Sequence, residues 1–178
     1  VTRDQTTTHP ATTRSFNELM GRLDNPMIVV TTASGRVRAG CLVGFHAQCG
    51  IDPPGYAVWL SKANHTYRVG ALSDTFAVHF LGSGDRHLAE LFGATTGDDT
   101  DKFARCDWER GPEGVPLLSE VENRFVGRRV ALLDAGADHV CLMLRPIEAS
   151  AGEEGLLWLG EVADLEAGHT AEERQRPR

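Results

Sequence analysis

The residue types best suited to chemistry crowd one short stretch: Lys62, Asn64, His65, Thr66 and Arg68 in LSKANHTYR, directly after the apolar run Tyr56 to Leu60. A helix start leaves N–H groups unpaired and carries the positive end of the dipole. A lysine, an amide and a hydroxyl gathered there can therefore seat a phosphate. Upstream, Gly40 and Gly44 let the backbone turn tightly or approach a ligand, and Pro53 and Pro54 fix the entry into the apolar run. The pattern suggests a phosphorylated cofactor. The same residues equally describe plain turns and a solvated helix start.

Other candidates stand singly. His139 heads the apolar run VCLML after the turn DAGAD, where an imidazole can donate to an acceptor ring, carry a proton near neutral pH, or bond local backbone. Asp138 can orient it. His46, Gln48 and His65 surround the glycine-rich segment, whereas His9, His79, His87 and His169 read as structural or surface residues. Phe103 and Trp108 flank a polar connection and can either cover a planar ring or anchor the loop. Asp98, Asp99 and Asp101 lack the spacing of a calcium loop and read as a solvated face. Cys41, Cys49, Cys106 and Cys141 show no CxxC spacing, so they read as reduced core thiols and no metal site is expected. No GxSxG, HExxH, P-loop or GxGxxG pattern is present.

These residues need elements to position them. Ser15 and Glu18 have capping-box spacing, which predicts a short helix with Phe16, Leu19, Met20 and Leu23 on one face, ended at Asn25-Pro26. Met27 to Ala33 and Arg36 to Val43 read as a hairpin about Ser34-Gly35, and Tyr56 to Leu60 as a third strand. Asn64 can cap a helix to about Leu72. Thr75 to Leu81 alternates like a half-buried strand, and Ser83 or Asp85 can cap a helix stopped by Gly93. After a long polar connection, Phe125 to Leu133, His139 to Ala149 and Leu156 to Leu165 read as three further strands. Many strands with short helices between them predict a mainly β barrel or sandwich rather than a doubly wound sheet. The expected organisation is a flexible arm over 1–14, one domain over 15–166 and a polar tail over 167–178.

Composition narrows the partners. A chain of 178 residues with 41% hydrophobic and 24% charged residues is ordinary for one soluble domain. The formal net charge of −7 disfavours nucleic acid as a main partner. Apolar runs are too short to span a bilayer and the threonine-rich beginning lacks a signal-like stretch, so no membrane association and a cytoplasmic location are expected.

Taken in order, IVVTT, VRAG, IDPP, LSKANHTYR, FAVHFL, HLAELFG, DKFARCDW, PLL and ADHV resemble the flavin reductase-like, FMN-binding split-barrel family. The resemblance runs over about residues 25 to 165 and implies a split β-barrel, a homodimer, bound FMN (or FAD) and hydride transfer from NADH or NADPH. It implies that Cys41, Leu42, Val43, Gly44 and Phe45, with Gln48, face the flavin ring, largely through backbone. It further implies that Lys62, Asn64 and Thr66 hold the phosphate with His65 and Arg68 nearby, that Phe103 lies by the cofactor, and that His139 meets the flavin or nicotinamide. The chain departs from the family where Leu42 to Phe45 replace a Thr-Ala-Asn-Ser type run, removing side-chain polar contacts to the ring. The implied activity is an FMN reductase that can supply a monooxygenase. A non-catalytic FMN-binding or electron-carrier dimer, or a reductase with a deazaflavin donor, stands as the alternative.

Overall fold

The computed structural model describes residues 9–153 and 155–168, so most of the expected arm and tail lies outside the described residues. Seven strands form one antiparallel sheet: β1 (Ile28–Ser34), β2 (Val37–Val43), β3 (His46–Ile51), β4 (Pro54–Ser61), β5 (Thr75–Phe80), β8 (Arg124–Leu133) and β9 (His139–Ser150). Their order is β2-β1-β5-β8-β9-β4-β3. A small hairpin, β6 (Trp108–Arg110) with β7 (Pro116–Leu118), lies apart. The helices are α1 (Pro10–Met20), α2 (His65–Gly70) and α3 (Arg86–Gly93).

Alternation along β1 explains the layering. Ile28 and Val30 point into one apolar cluster, whereas Val29 points into another. The first cluster gathers Cys41 and Val43 of β2, Val58 and Leu60 of β4, Phe76 and Val78 of β5, Phe125 of β8 and Leu142 and Leu144 of β9. β2 is one edge of the sheet and β4 lies beside the other, so a shared interior requires the sheet to curl upon itself. Each such side chain removed from water contributes about 2 kcal/mol. The second cluster packs Leu88, Ala89, Leu91 and Phe92 of α3, with Leu118 and Leu157, on the outside of β1.

The curl does not close. The edges β2 and β3 are consecutive in the chain and joined only by Gly44-Phe45, while β3 pairs with β4 and not with β2. The glycine-rich segment is thus the seam of a split barrel. Phe45 is fixed there by its carbonyl, which accepts from Trp59 N at 2.9 Å.

Several elements differ from the sequence reading. The first helix begins at Pro10, not Ser15, because a proline is preorganised for the first turn and His9 Nδ1 accepts from Ala11 N. No residue of this helix is buried, so its apolar stripe faces outward. β3 goes unseen in the sequence because Gln48, Cys49 and Ile51 are exposed on an edge and carry no apolar alternation. β6 falls in the stretch read as a connection, and β7 is the run PLL just beyond it. Leu156 to Leu165 is not a strand: it makes isolated bridges at Leu156 and Trp158, then a 3-10 turn over Leu159–Val162. Its buried residues, Leu157 and Val162, are five apart and enter one cluster, which a turn permits and a strand would not. Asp85 takes the N-cap position of α3, but its carboxylate accepts from Gly82 N at 2.8 Å. Cys49 is exposed rather than a core thiol. Among the described residues, no helix is long and apolar enough to cross a membrane.

Candidate functional site

Two clefts flank the start of α2. The larger, of about 350 Å³, is walled by Arg36 and the start of β2 from Val37 to Gly40, by His65, and by the loop from Gly97 to Phe103. The smaller, of about 200 Å³, is walled by Leu42, Asn64, Phe92, Gly93, Thr95 and Thr96, and by the segment from Leu159 to Ala167. Asn64 and His65 are adjacent in the chain yet line different clefts. β2 also serves both, through Gly40 on one side and Leu42 on the other.

The start of α2 is built by capping. The Asn64 side chain accepts from Thr66 N at 3.1 Å, which satisfies a donor that the helix cannot, a contribution of about 1 kcal/mol. Asp98 then holds the helix from outside, bonding His65 Nδ1 at 2.9 Å and the guanidinium of Arg68. The Arg68 guanidinium, aided by His65, keeps the Asp98 carboxyl below the usual carboxylate range. The acidic run expected to be a solvated face therefore forms part of the cleft wall, with Asp98, Asp99 and Asp101 all lining it. The Ser61 hydroxyl is buried nearby without a hydrogen-bond partner among the described residues, and the Thr66 hydroxyl is buried against the Cys41 thiol.

Of the residues expected to meet a cofactor, Leu42, Asn64, His65 and Phe103 line these clefts. Cys41 and Val43 point into the barrel interior, leaving only their backbone for any contact. Thr66 is buried within the fold. Lys62 is committed to Asp134, Nζ to Oδ1 at 2.7 Å, and that bond, with Gly136 N–H, holds the Asp134 carboxyl low. Gln48 lies on the outer edge strand and donates to Gly50 O at 3.0 Å, lining neither cleft.

A second grouping forms at the seam. The His139 ring packs edge-on against Phe45, centroids 5.4 Å apart, and its Nδ1 lies 3.0 Å from Asp138 Oδ1. Asp138 O accepts from Lys62 N at 2.9 Å, which brings Lys62, His139 and Phe45 to one place. His46 is structural: Nε2 donates to Pro26 O at 2.7 Å, so Nδ1 accepts from the Tyr56 hydroxyl at 2.5 Å. Burial lowers the His46 pKa and raises that of Tyr56 to about 12.

Sequence reasoning missed Lys102, Arg38 and the segment from Leu159 onward. Lys102 is 4% exposed, and its Nζ donates to Gly40 O at 3.2 Å and Phe92 O at 3.0 Å. Arg38 lies 4.5 Å over the Trp108 ring and 5.6 Å over Phe103, and pairs with Asp101 at 3.2 Å. The signal for the first was its place beside Phe103 in DKF. For Arg38 and the segment, partners remote in sequence leave no local mark. The segment is pinned at its end by Gly168 N, which donates to Gly93 O at 2.9 Å, and by Arg86 on the Asp164 carboxylate at 2.6 Å and 2.8 Å.

The family model described as flavin reductase like domain matches residues 20–171. The FMN reductase (NADH) RutF of Methylorubrum extorquens is 27% identical over 161 residues, covering 88% of this chain and 77% of that protein. The FMN reductase (NADH) SmoA of Agrobacterium fabrum is 32% identical over 139 residues, covering 77% of this chain and 76% of its own length. In fold, the NADH:FAD oxidoreductase SgcE6 of Streptomyces globisporus superposes with a TM-score of 0.75 at 22% identity, over 85% of this chain and 90% of that one. A curled sheet split at Gly44-Phe45, a cleft on each side of α2 and a family match across most of the sequence have one conclusion: the chain belongs to the flavin reductase like domain family.

Proposed function

We propose that the protein is a flavin reductase that oxidises NADH and reduces FMN held in the groove around the start of α2. The observation that carries this is the meeting of two clefts at Asn64-His65, the residues that open α2. The polar side chains of Asn64, Thr95 and Thr96 in one cleft and of His65 and Thr100 in the other fit a phosphorylated, hydroxyl-rich ligand. Family membership and the relatives named as NADH-dependent FMN reductases support the same reading. FAD is admitted as a second flavin.

The bound flavin supplies the hydride acceptor; the chain binds, orients and excludes water. Leu42, Phe92 and Leu159 make one wall apolar, and Phe103 is braced by Phe92 and Trp108 at ring distances of 5.7 Å and 5.8 Å. Asn64, Thr66 and Lys62 serve the phosphate end, Lys62 on release from Asp134. His139, packed on Phe45 and oriented by Asp138, meets the nicotinamide side.

The same reading makes the protein a homodimer. Register aligns Trp59, Cys141 and Leu133 in one row across β4, β9 and β8. Phe45 adjoins them at 61% exposed, with Leu133 at 52%, an apolar face that suits a second copy. It also makes the reduced flavin available to a monooxygenase, in a reducing cytoplasm compatible with the exposed Cys49 thiol.

The test is steady-state oxidation of NADH and of NADPH by purified protein, with and without added FMN. FMN-dependent turnover is expected. Flavin binding without turnover on either nucleotide would favour a non-catalytic carrier, and a protein with no affinity for FMN would remove the proposal.

A further inference from the structure

Lys102 is a charge without a counter-charge. The residue is 4% exposed, and its ammonium has carbonyls of Gly40 and Phe92 as acceptors and lies 5.5 Å over the Phe92 ring. Among the described residues no carboxylate pairs with it, whereas the neighbouring cations Arg38, His65 and Arg68 are all paired with aspartates. An ammonium has three donors, so one remains beyond the two carbonyls. Burial pulls the lysine pKa below its ordinary value, the expected sign for an uncompensated cation. Removing such a charge from water costs several kcal/mol, a cost offset most directly by an anion brought alongside.

The cleft offers the place. Lys102 and Gly40 both line it, and a side chain at Gly40 would approach Phe92 to 2.7 Å, so the strand is kept bare beside the ammonium. Asp98, Asp99 and Asp101 of the same loop also line the cleft and disfavour a ligand of high negative charge there. A ring with a single, delocalised charge fits better.

Resting on the flavin reductase reading, we propose that Lys102 is the counter-charge for reduced flavin and holds the reduced ring more tightly than the oxidised one. Hydride transfer breaks the nicotinamide C–H bond and delivers that hydrogen with its electron pair to the flavin. NADH leaves as NAD⁺. The flavin, gaining two electrons and one proton, becomes more negative by one charge, which the buried ammonium meets. Lys102 thus favours the chemical step through a charge already in position.

The test compares affinities of oxidised and anaerobically reduced FMN for the parent, Lys102→Gln and Lys102→Met. The glutamine retains amide donors for the carbonyls while losing the charge, and so guards against a variant that merely misfolds. Reduced-state affinity should fall about tenfold more than oxidised-state affinity, equivalent to a bound-flavin midpoint lower by about 30 mV. Equal weakening of both states, or no change in Lys102→Gln, overturns the role of Lys102 and leaves the flavin reading intact. A parent that binds FMN in neither state overturns the flavin reading and this proposal with it.

Discussion

His79 shows how a histidine can be fully committed to structure. It is 0% exposed, its Nδ1 donates to Val29 O at 3.2 Å, and its Nε2 accepts from Leu118 N at 3.0 Å, which ties β1, β5 and β7 together. That pattern needs the neutral ring. Burial, with a repulsive contribution from Arg124, lowers its pKa from 6.5 to about 3. The unfolded chain therefore takes up the proton first as pH falls. Stability from this group is complete above about pH 6.5 and is lost between there and about pH 3, at a slope near 1.4 kcal/mol per unit. Thermal melts should show the midpoint falling with acidity, and falling less in His79→Gln; identical slopes would contradict the assignment. In the sequence, His79 lacked any convergent partner and read as a structural or surface residue; its burial decides for the first. The place of Lys102 beside Phe103 in DKF marked where it lies, but nothing local distinguishes a buried lysine from a solvated one in GDDTDKF.

At the scale of elements, α2 was legible because capping is local: Asn64 and Thr66 are two residues apart, and the bond between them is seen. The segment from Leu159 was misread because its apolar spacing resembles a strand, while Gly160, Glu161 and the distant partner Arg86 decide its course. That segment gives the smaller cleft one of its walls through Glu166 and Ala167. It is held so closely that a Cβ at Gly168 would lie 2.7 Å from the Thr95 backbone. Gly168→Ala should therefore push the segment off the cleft and weaken FMN binding by about 1 kcal/mol, roughly fivefold. Fluorescence titration checks this, and unchanged affinity would show that the segment plays no part in the site.

For the whole molecule, the decisive property is a barrel that does not close. Many strands with short helices between them read as a barrel or sandwich, and the family resemblance narrowed this to a split barrel, but β3 and its edge position depend on pairings between residues far apart in sequence, which period alone cannot reveal. The seam carries Phe45 and His139, and the apolar face beside it runs to Trp59 and Leu133. Placing a charge in that face with Leu133→Glu should halve the mass measured by light scattering from dimer to monomer; a parent and variant of equal mass would rule out this face as the interface. The account as a whole turns on electrons passing from NADH to a flavin bound beside α2. Mixing the FMN-loaded protein with NADH in the absence of oxygen measures that directly. The account predicts rapid loss of the flavin's visible absorbance. A bound flavin that keeps its colour with both NADH and NADPH, yet bleaches with a chemical reductant, would contradict it.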